Sequence, residues 1–228
     1  MPEQRKFAST SRFATALALG TVLFGTSGCL CPPCGSEAAQ VEVVPPGSRL
    51  IIWNGDDVKG SAQGWSECDS KPKCVATVGL VEKEGVDGSG ALRIHAKGGG
   101  WLGGGWNWFG WWPENGGNDF SQFDDLVFSV RVTAAEQKLM PDPAGMTVGL
   151  RCSVGKKSSP FAAVGARARN LTDGKWHRVS IPLAEFRKGK DGKAFDMKTV
   201  WEFAFSFWHE NLREFDLYID DLAVEKRL

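Results

Sequence analysis

From Leu50 onward, hydrophobic and polar residues alternate in short runs that are separated by glycine, asparagine, aspartate and proline. Alternation at every second position indicates β-strands, whereas an amphipathic helix repeats every three to four residues. The pattern predicts strands at Leu50 to Trp53, Cys74 to Glu82, Ala91 to Lys97, Gly104 to Phe109, Asp125 to Val132, Met146 to Val154, Phe161 to Ala168, Trp176 to Pro182, Trp201 to Trp208 and Phe215 to Glu225. Strands of this number and size predict an all-β fold with two packed sheets, a β-sandwich.

Alternation also assigns the two faces of each predicted strand, because residues two positions apart point the same way. In the strand from Trp201 to Trp208, the residues Phe203, Phe205 and Phe207 form an apolar inner face. The outer faces of the predicted strands carry polar and aromatic residues: Trp208, Tyr218, Arg131, Arg151 and Glu202. We therefore expect these residues on a polar exterior.

Length and charge limit the domain count and the partners. The 228 residues suffice for one sizeable sandwich and are too few for two with linkers. Lys and Arg number 27, as do Asp and Glu, so no overall field favours nucleic acid, and nucleic acid is not an expected partner. The predicted organisation is a signal peptide over residues 1–28, a lipidated cysteine with a flexible tether over residues 29–48, and one domain over residues 49–228.

The first 28 residues are typical of a targeting segment. Basic residues such as Arg5 precede an apolar run from Phe13 to Phe24, which is too short to span a bilayer. Small residues then lead to Cys29, and the sequence Thr-Ser-Gly-Cys resembles the lipobox of bacterial lipoproteins, although Thr26 replaces the usual leucine. We expect lipidation at Cys29 and a place in the cell envelope, anchored at the outer membrane; the alternative is a plain secretory signal and a secreted protein.

The remaining cysteines fit an oxidising compartment. Cys68 and Cys74 bracket a short polar loop and are expected to form a disulfide. Cys31 and Cys34 flank two prolines and could close a local disulfide in the same way. They also have the spacing of redox and zinc motifs, but no second cysteine or histidine pair lies near them. Cys152 falls on the apolar side of a predicted strand, where a buried cysteine is expected.

Three segments resemble motifs of jelly-roll carbohydrate-binding modules. They are the strand entrance at Asn118 to Phe128, the strand and bend at Asp173 to Phe186, and the closing strand at Phe215 to Leu222. They occur in the expected order and are similar to the galactose-binding-domain-like superfamily, including family 11 modules and the complex I intermediate-associated family. The resemblance implies a jelly-roll domain over residues 49–228 and a role in sugar binding, although this fold also serves protein adhesion and structural roles.

Tryptophan is the unusual residue, with ten against one tyrosine. The segment from Gly98 to Pro113 holds five tryptophans among seven glycines. Flat indoles stack on the C–H face of a sugar ring, and glycine lets a ligand approach the backbone. Trp111 and Trp112 are the expected exposed pair; the alternative is that some of these tryptophans, such as Trp106, fill the sandwich.

Four further residues are expected to bind the ligand from the outward faces of strands. Trp208 and Tyr218 offer aromatic rings. Arg131 and Arg151, which are expected on neighbouring outward faces, can donate paired hydrogen bonds to hydroxyl groups. Arg93 and His95 are weaker candidates on another predicted strand. An outward arginine is also commonly just solvated.

A calcium ion is the one expected cofactor. Asp220 and Asp221 lie where the resembled jelly rolls hold a structural calcium, with Asp56 as a further ligand near the first strand. Calcium requires several oxygen ligands, so this site exists only where the chain ends meet. The alternative is a strand-end turn with solvated carboxylates.

Motifs of common enzymes are missing from the sequence: it contains no nucleophile elbow, no HExxH and no glycine-rich phosphate loop. Carboxylates at 114, 202, 210 and 216 are the remaining route to hydrolysis. We therefore expect a non-catalytic lipoprotein that binds a polysaccharide or glycan through exposed aromatic residues. The alternative hypothesis is a structural or assembly lipoprotein of the envelope that uses the same patch to bind a protein partner.

Overall fold

The computed structural model describes residues 43–55, 63–68, 74–98, 101–108, 116–134, 146–159, 162–164, 167, 171–188, 192–208 and 214–228. The strands in these residues are β1 (Arg49–Trp53), β2 (Gln63–Cys68), β3 (Val75–Val81), β4 (Ala91–Lys97), β5 (Trp101–Asn107), β6 (Asp125–Ala134), β7 (Met146–Cys152), β8 (Lys157–Ser158), β9 (Ala162–Ala163), β10 (His177–Pro182), β11 (Val200–Trp208) and β12 (Phe215–Glu225). Short 3-10 turns lie at Val154–Lys156, Leu171–Asp173 and Leu183–Phe186. No helix in the described part of the chain is long and apolar enough to cross a membrane.

The strands form two antiparallel sheets. The first sheet has the order β10-β6-β12-β4-β3, and β1 also pairs with β12. The second sheet has the order β2-β5-β11-β7-β8, and β9 also pairs with β7. The predicted all-β sandwich is confirmed.

Alternating side chains from both sheets fill the core between them. From the second sheet, Phe203, Phe205 and Phe207 are each only 1% exposed, as the alternation predicts. Phe203 meets Phe128 of the first sheet edge to face, with the ring centroids 5.2 Å apart. This contact joins the two sheets and leaves their other faces as the outer surfaces of the domain.

A bulge in β12 changes which residues face the core. Leu217 and Ile219 point inward, but the pairing with β6 shifts between Asp220 and Ala223. Asp221 adopts a left-handed backbone with φ of +54°, a conformation that aspartate tolerates better than most residues. Beyond the bulge, Leu222 rejoins the core.

Three strand predictions differ from the structure. Predicted strand 104–109 is β5 at Trp101–Asn107, since glycines in its first half hide the alternation. Of predicted strand 161–168, the structure describes residues 162–164 and 167, among which Ala162–Ala163 form β9; β2 at Gln63–Cys68 is not predicted at all. The strand β2 is a short edge strand, and its apolar pattern is weakened by Gly64 and by three polar or charged residues, Gln63, Ser66 and Glu67.

Candidate functional site

The predicted ligand-binding residues do not share one surface. Arg151 lies on β7 and Trp208 on β11, both in the second sheet, whereas Arg131 lies on β6 and Tyr218 on β12, in the first sheet. The expectation that the two arginines occupy neighbouring outward faces is wrong, because the core lies between their sheets. Trp111, Trp112 and the side chain of Trp208 lie outside the described residues.

The outer surface of the second sheet is centred on Trp101, and we call it the Trp101 face; it comprises Trp101, Gly103, Gly105, Asn107, Thr147, Gly149, Arg151, Glu202, Ala204 and Ser206. Trp101 is half-buried, and its indole Nε1 donates a 2.8 Å hydrogen bond to Ser206 Oγ. Its six-membered ring lies against Gly103 of its own strand, in the space that a Cβ would occupy. The indole is therefore fixed against the sheet at two points.

A row of small residues crosses the middle of the Trp101 face. Gly105 of β5 pairs with Ala204 of β11, and Ala204 pairs with Gly149 of β7. No side chain in this row extends beyond a methyl group, and all three residues are buried. The row lies between Ser206 and Thr147 on one side and Glu202 and Arg151 on the other.

Buried polar groups lie on the other side of that row. Glu202 is completely buried and pairs with Arg151, whose Nε lies 3.2 Å from Glu202 Oε1. The prediction that Glu202 lies on a polar exterior is therefore wrong. A carboxylate buried this deeply requires a charged partner, which Arg151 provides. Asn107, opposite Glu202 in the register, is also completely buried, and its side-chain amide forms no hydrogen bond with any described residue.

The outer surface of the first sheet is organised around Arg131, and we call it the Arg131 face; it comprises Arg93, His95, Arg131, Thr133, Trp176, Asp216 and Tyr218. The guanidinium carbon of Arg131 lies 4.3 Å from the ring centre of Tyr218 and 5.0 Å from that of Trp176. Its Nη2 also donates a 2.6 Å hydrogen bond to Glu84. Tyr218 is only 9% exposed, because the guanidinium of Arg131 covers its ring. The prediction that this ring faces the solvent is therefore wrong.

Beside this stack, Asp216 accepts hydrogen bonds from two basic residues. Arg93 donates from Nε (2.8 Å) and Nη2 (3.0 Å), and His95 Nδ1 lies 3.0 Å from the same carboxylate. The hydrogen bonds to Asp216 raise the pKa of Arg93. Next to them, a hydrogen bond from Lys97 lowers the pKa of Glu214.

A hollow of about 340 Å³ opens over this cluster. It is lined by Arg93, His95, Thr133, Ala134, Glu214, Phe215 and Asp216, and we call it the Arg93 hollow. Its volume lies at the lower end of the range for small-ligand pockets, about 300–1,000 Å³. The lining mixes hydrogen-bond donors and acceptors.

Of the three predicted calcium ligands, the structure describes Asp220 and Asp221. The carboxylate of Asp220 accepts hydrogen bonds from the backbone amides of Val86 and Asp221 and from the Ser89 hydroxyl, and burial raises its pKa. The calcium site stays a prediction. Asp56 lies outside the described residues, within which no cluster of three metal-binding side chains occurs.

Cys68 and Cys74 form a disulfide. It connects the end of β2 in the second sheet to the residue before β3 in the first sheet. Cys152 is completely buried, and its thiol donates to the Val154 carbonyl. Residues 29, 31 and 34 lie outside the described residues.

The sequence model of the family described as Carbohydrate binding domain 30 matches residues 57–226. The chain belongs to this family. The match spans both outer faces of the sandwich and supports carbohydrate binding as the activity of the domain. It agrees with the resemblance to jelly-roll carbohydrate-binding modules.

Solved structures show the same fold as this family 30 chain. The family 30 module of the cellulosomal cellulase Cel9D-Cel44B of Clostridium thermocellum is 18% identical, with a TM-score of 0.50, covering 78% of this chain and 98% of that one. A family 11 module from Clostridium thermocellum, in complex with a β-1,3-1,4-mixed-linked tetrasaccharide, is 12% identical, with a TM-score of 0.50 and coverage of 81% and 99%. The β-1,2-glucanase from Parabacteroides distasonis is 15% identical, with a TM-score of 0.56 and coverage of 80% and 26%. No curated protein sequence matches the chain.

Sequence reasoning missed two notable residues of this family 30 domain. Trp101 was one of five tryptophans in the glycine-rich segment, and the signal that distinguishes it is Gly103, two positions later on the same face. Asn107 follows on that face after Gly105, but its burial depends on the pairing of β5 with β11. No local pattern in the sequence indicates such a pairing.

Proposed function

We propose that this chain binds a neutral polysaccharide or oligosaccharide on the Trp101 face and that the indole of Trp101 stacks on a sugar ring. The observation that carries the proposal is the fixed position of that indole, hydrogen-bonded to Ser206 and seated on Gly103. An aromatic ring held in place before binding loses little entropy when a ligand arrives. Sugar rings present the apolar C–H face that such a ring accepts.

Polar groups on the same face provide hydrogen-bonding capacity. Arg151, whose side chain is 22% exposed, pairs with the buried Glu202, so the pair adds no net charge, and the partly exposed Thr147 and Ser206 bring hydroxyl groups. Hydroxyl groups also donate and accept, so this chemistry suits a neutral glycan better than an anion. Family membership supports a glycan ligand, and it does not favour the alternative of a protein partner.

We also propose that the protein acts without catalysis. Among the carboxylates considered above, Glu202 belongs to the outer face of the second sheet, whereas Asp216 belongs to that of the first sheet. Hydrolysis of a glycosidic bond requires two carboxyl groups within about 10 Å across one bond. These two side chains lie on opposite sides of the core and do not meet that requirement.

Affinity electrophoresis of the full chain in β-glucan, xylan, mannan and chitin derivatives tests the binding proposal. We expect retardation by at least one of these neutral polysaccharides. Trp101→Ala should weaken that binding about 30-fold, as loss of an aromatic anchor commonly costs about 2 kcal/mol, while Trp101→Phe should retain part of it. Unchanged affinity of a folded Trp101→Ala variant, or no retardation of the wild type by any of the four, would overturn the proposal.

For the location, we propose a lipid anchor at Cys29 that holds the domain at the cell envelope. The proposal is supported by the apolar run that ends just before this cysteine. Cys29→Ser should move the protein from the membrane fraction to the soluble fraction. Persistent membrane association of that variant would exclude the anchor.

A further inference from the structure

The Arg93 hollow lies on the opposite side of the sandwich from Trp101. Across its floor, His95 of β4, Asp216 of β12 and Thr133 of β6 stand side by side in the strand register. Arg93, one alternation along β4, borders the same hollow. The residues come from central strands of the first sheet, and the backbones of Arg93, His95 and Asp216 are held by pairing on both sides.

The lining offers hydrogen-bonding groups that protein contacts leave unused. The half-buried Thr133 hydroxyl forms no hydrogen bond with any described residue, and neither does Nη1 of Arg93. His95 Nε2 lies 3.9 Å from Glu214, beyond hydrogen-bond distance. Because Nδ1 of that ring contacts the Asp216 carboxylate, Nε2 is the ring nitrogen left for a ligand.

Charges around the hollow balance. The charge of Arg93 is balanced by Asp216, and that of Lys97 by Glu214. In the second pair, Nζ of Lys97 lies 2.9 Å from Oε2 of Glu214. A site for an anion would carry excess positive charge, and a site for a cation would carry excess carboxylates. A balanced set of fixed donors and acceptors instead suits neighbouring hydroxyl groups, each of which donates and accepts.

The Arg131 stack keeps the hollow rigid. Tyr218 lies between Arg131 and Arg93 in the strand register, and its ring packs against the guanidinium of Arg131. The bidentate contact with Asp216 then fixes the guanidinium of Arg93 from the other side. The groups of the hollow therefore need little reordering when a ligand arrives.

We propose that the Arg93 hollow is a second saccharide site, which takes a neutral sugar unit through paired hydroxyl groups. It goes beyond the proposed function, because none of its residues lies on the Trp101 face. The two sites point away from each other across the core, so one molecule can hold two glycan chains.

Amide NMR of the full-length, isotope-labelled chain tests this site separately from the Trp101 face. The probes are tetrasaccharides of mixed-linked β-glucan, cellulose, xylan and mannan, with trigalacturonate as an anionic comparison. We expect saturable shifts at His95, Thr133 and Asp216 with at least one neutral probe. The Trp101 indole N–H reports the other site in the same spectra, so failure of one proposal is distinguishable from failure of the other.

The double variant Arg93→Lys, Thr133→Val keeps the charge and the volume but removes the guanidinium fork and the hydroxyl. It should weaken the affinity at the hollow about tenfold, the effect of losing roughly one net hydrogen bond of 1.4 kcal/mol, and leave the indole N–H titration unchanged. The matched control is Thr77→Val, an exposed position opposite His95 on β3 and outside the hollow. No saturable shift in the hollow with any neutral probe, binding of trigalacturonate alone, or an unaffected double variant would each overturn the proposal.

Discussion

The indole ring of Trp101 occupies the space where any residue other than glycine at position 103 would place its Cβ. A Cβ built on Gly103 lies 2.5 Å from Cη2 of Trp101, well inside the about 3.5–4.0 Å at which carbon atoms make favourable contact. The position of the proposed sugar platform therefore depends on a residue that has no side chain.

Gly103→Ala should displace the indole and weaken glycan binding about tenfold or more, with the domain still folded. The added Cβ overlaps the six-membered ring of Trp101, so the indole has to move away from position 103 and lose its hydrogen bond to Ser206. Gly79→Ala is the matched control, because nothing lies within 4 Å of a Cβ at that strand position. Affinity electrophoresis and a thermal melt of both variants measure the two effects. Equal glycan affinity of the two variants would contradict the role of Gly103 in positioning the indole.

Phe207 and Trp208 test the register of β11. Phe207 is 1% exposed and packs against Phe215, so Phe207→Ala should lower the free energy of unfolding by roughly 3–5 kcal/mol through the cavity it leaves. Trp208 lies opposite Trp101 in the pairing of β11 with β5, one position after Phe207 and therefore on the outer face of the strand. We predict that Trp208→Ala changes stability by about 0.5 kcal/mol or less and weakens glycan binding. Urea unfolding and ligand titration of both variants check this, and the reverse order of stabilities would refute the register.

Replacing both Cys68 and Cys74 by serine should lower the free energy of unfolding by about 2 kcal/mol. The estimate follows from the short loop that the disulfide closes, with a sequence separation of 6. The bond spans the two sheets at one edge, so its loss lets β2 and β3 separate there. Urea unfolding with and without reductant measures the effect, and reductant should not alter the serine variant. A wild type insensitive to reduction would contradict this stabilising role.

The pair between Asp173 and His177 predicts a pH-dependent contribution to stability. A hydrogen bond from His177 and one from the Lys175 amide lower the pKa of Asp173 below its usual value of 3.8. An acid with a depressed pKa stabilises the fold above its unfolded pKa and loses that contribution as pH falls through the folded value. Asp173→Asn should therefore reduce the melting temperature at pH 6–8, and the difference from wild type should shrink as the pH falls below 3.8. A constant difference across thermal melts at all pH values would exclude this cause.

Alternation along the chain predicts the inside and outside of each strand but not the sheet to which it belongs. It correctly placed Phe203, Phe205 and Phe207 in the core, because a two-residue period is a local property. The same reasoning grouped Arg131 with Arg151, and these residues lie on opposite surfaces. Sheet membership arises from pairing between distant segments, and no local pattern encodes that pairing.

Burial of the outer residues was unpredictable for a related reason. An outward position is exposed only when no neighbour covers it, and Tyr218 is covered by Arg131 from the adjacent strand. Glu202 is buried in its contact with Arg151, which again comes from the neighbouring strand. Both contacts depend on the register between neighbouring strands. The alternation along one strand therefore predicts more exposed aromatic and charged residues than the structure has.

The pairing of β1 with β12 determines how the domain carries mechanical load. The chain enters the sandwich through β1, whose residues Arg49 to Trp53 pair with Leu222 to Glu225 of β12. Strand β12 is not at an edge, because β6 and β4 flank it in the first sheet. Strand β1 has β12 as its only partner among the described strands, so tension applied through the N-terminal segment acts first on the β1–β12 pairing. The rate at which this pairing breaks therefore governs forced unfolding of a domain that is pulled from its N-terminal end.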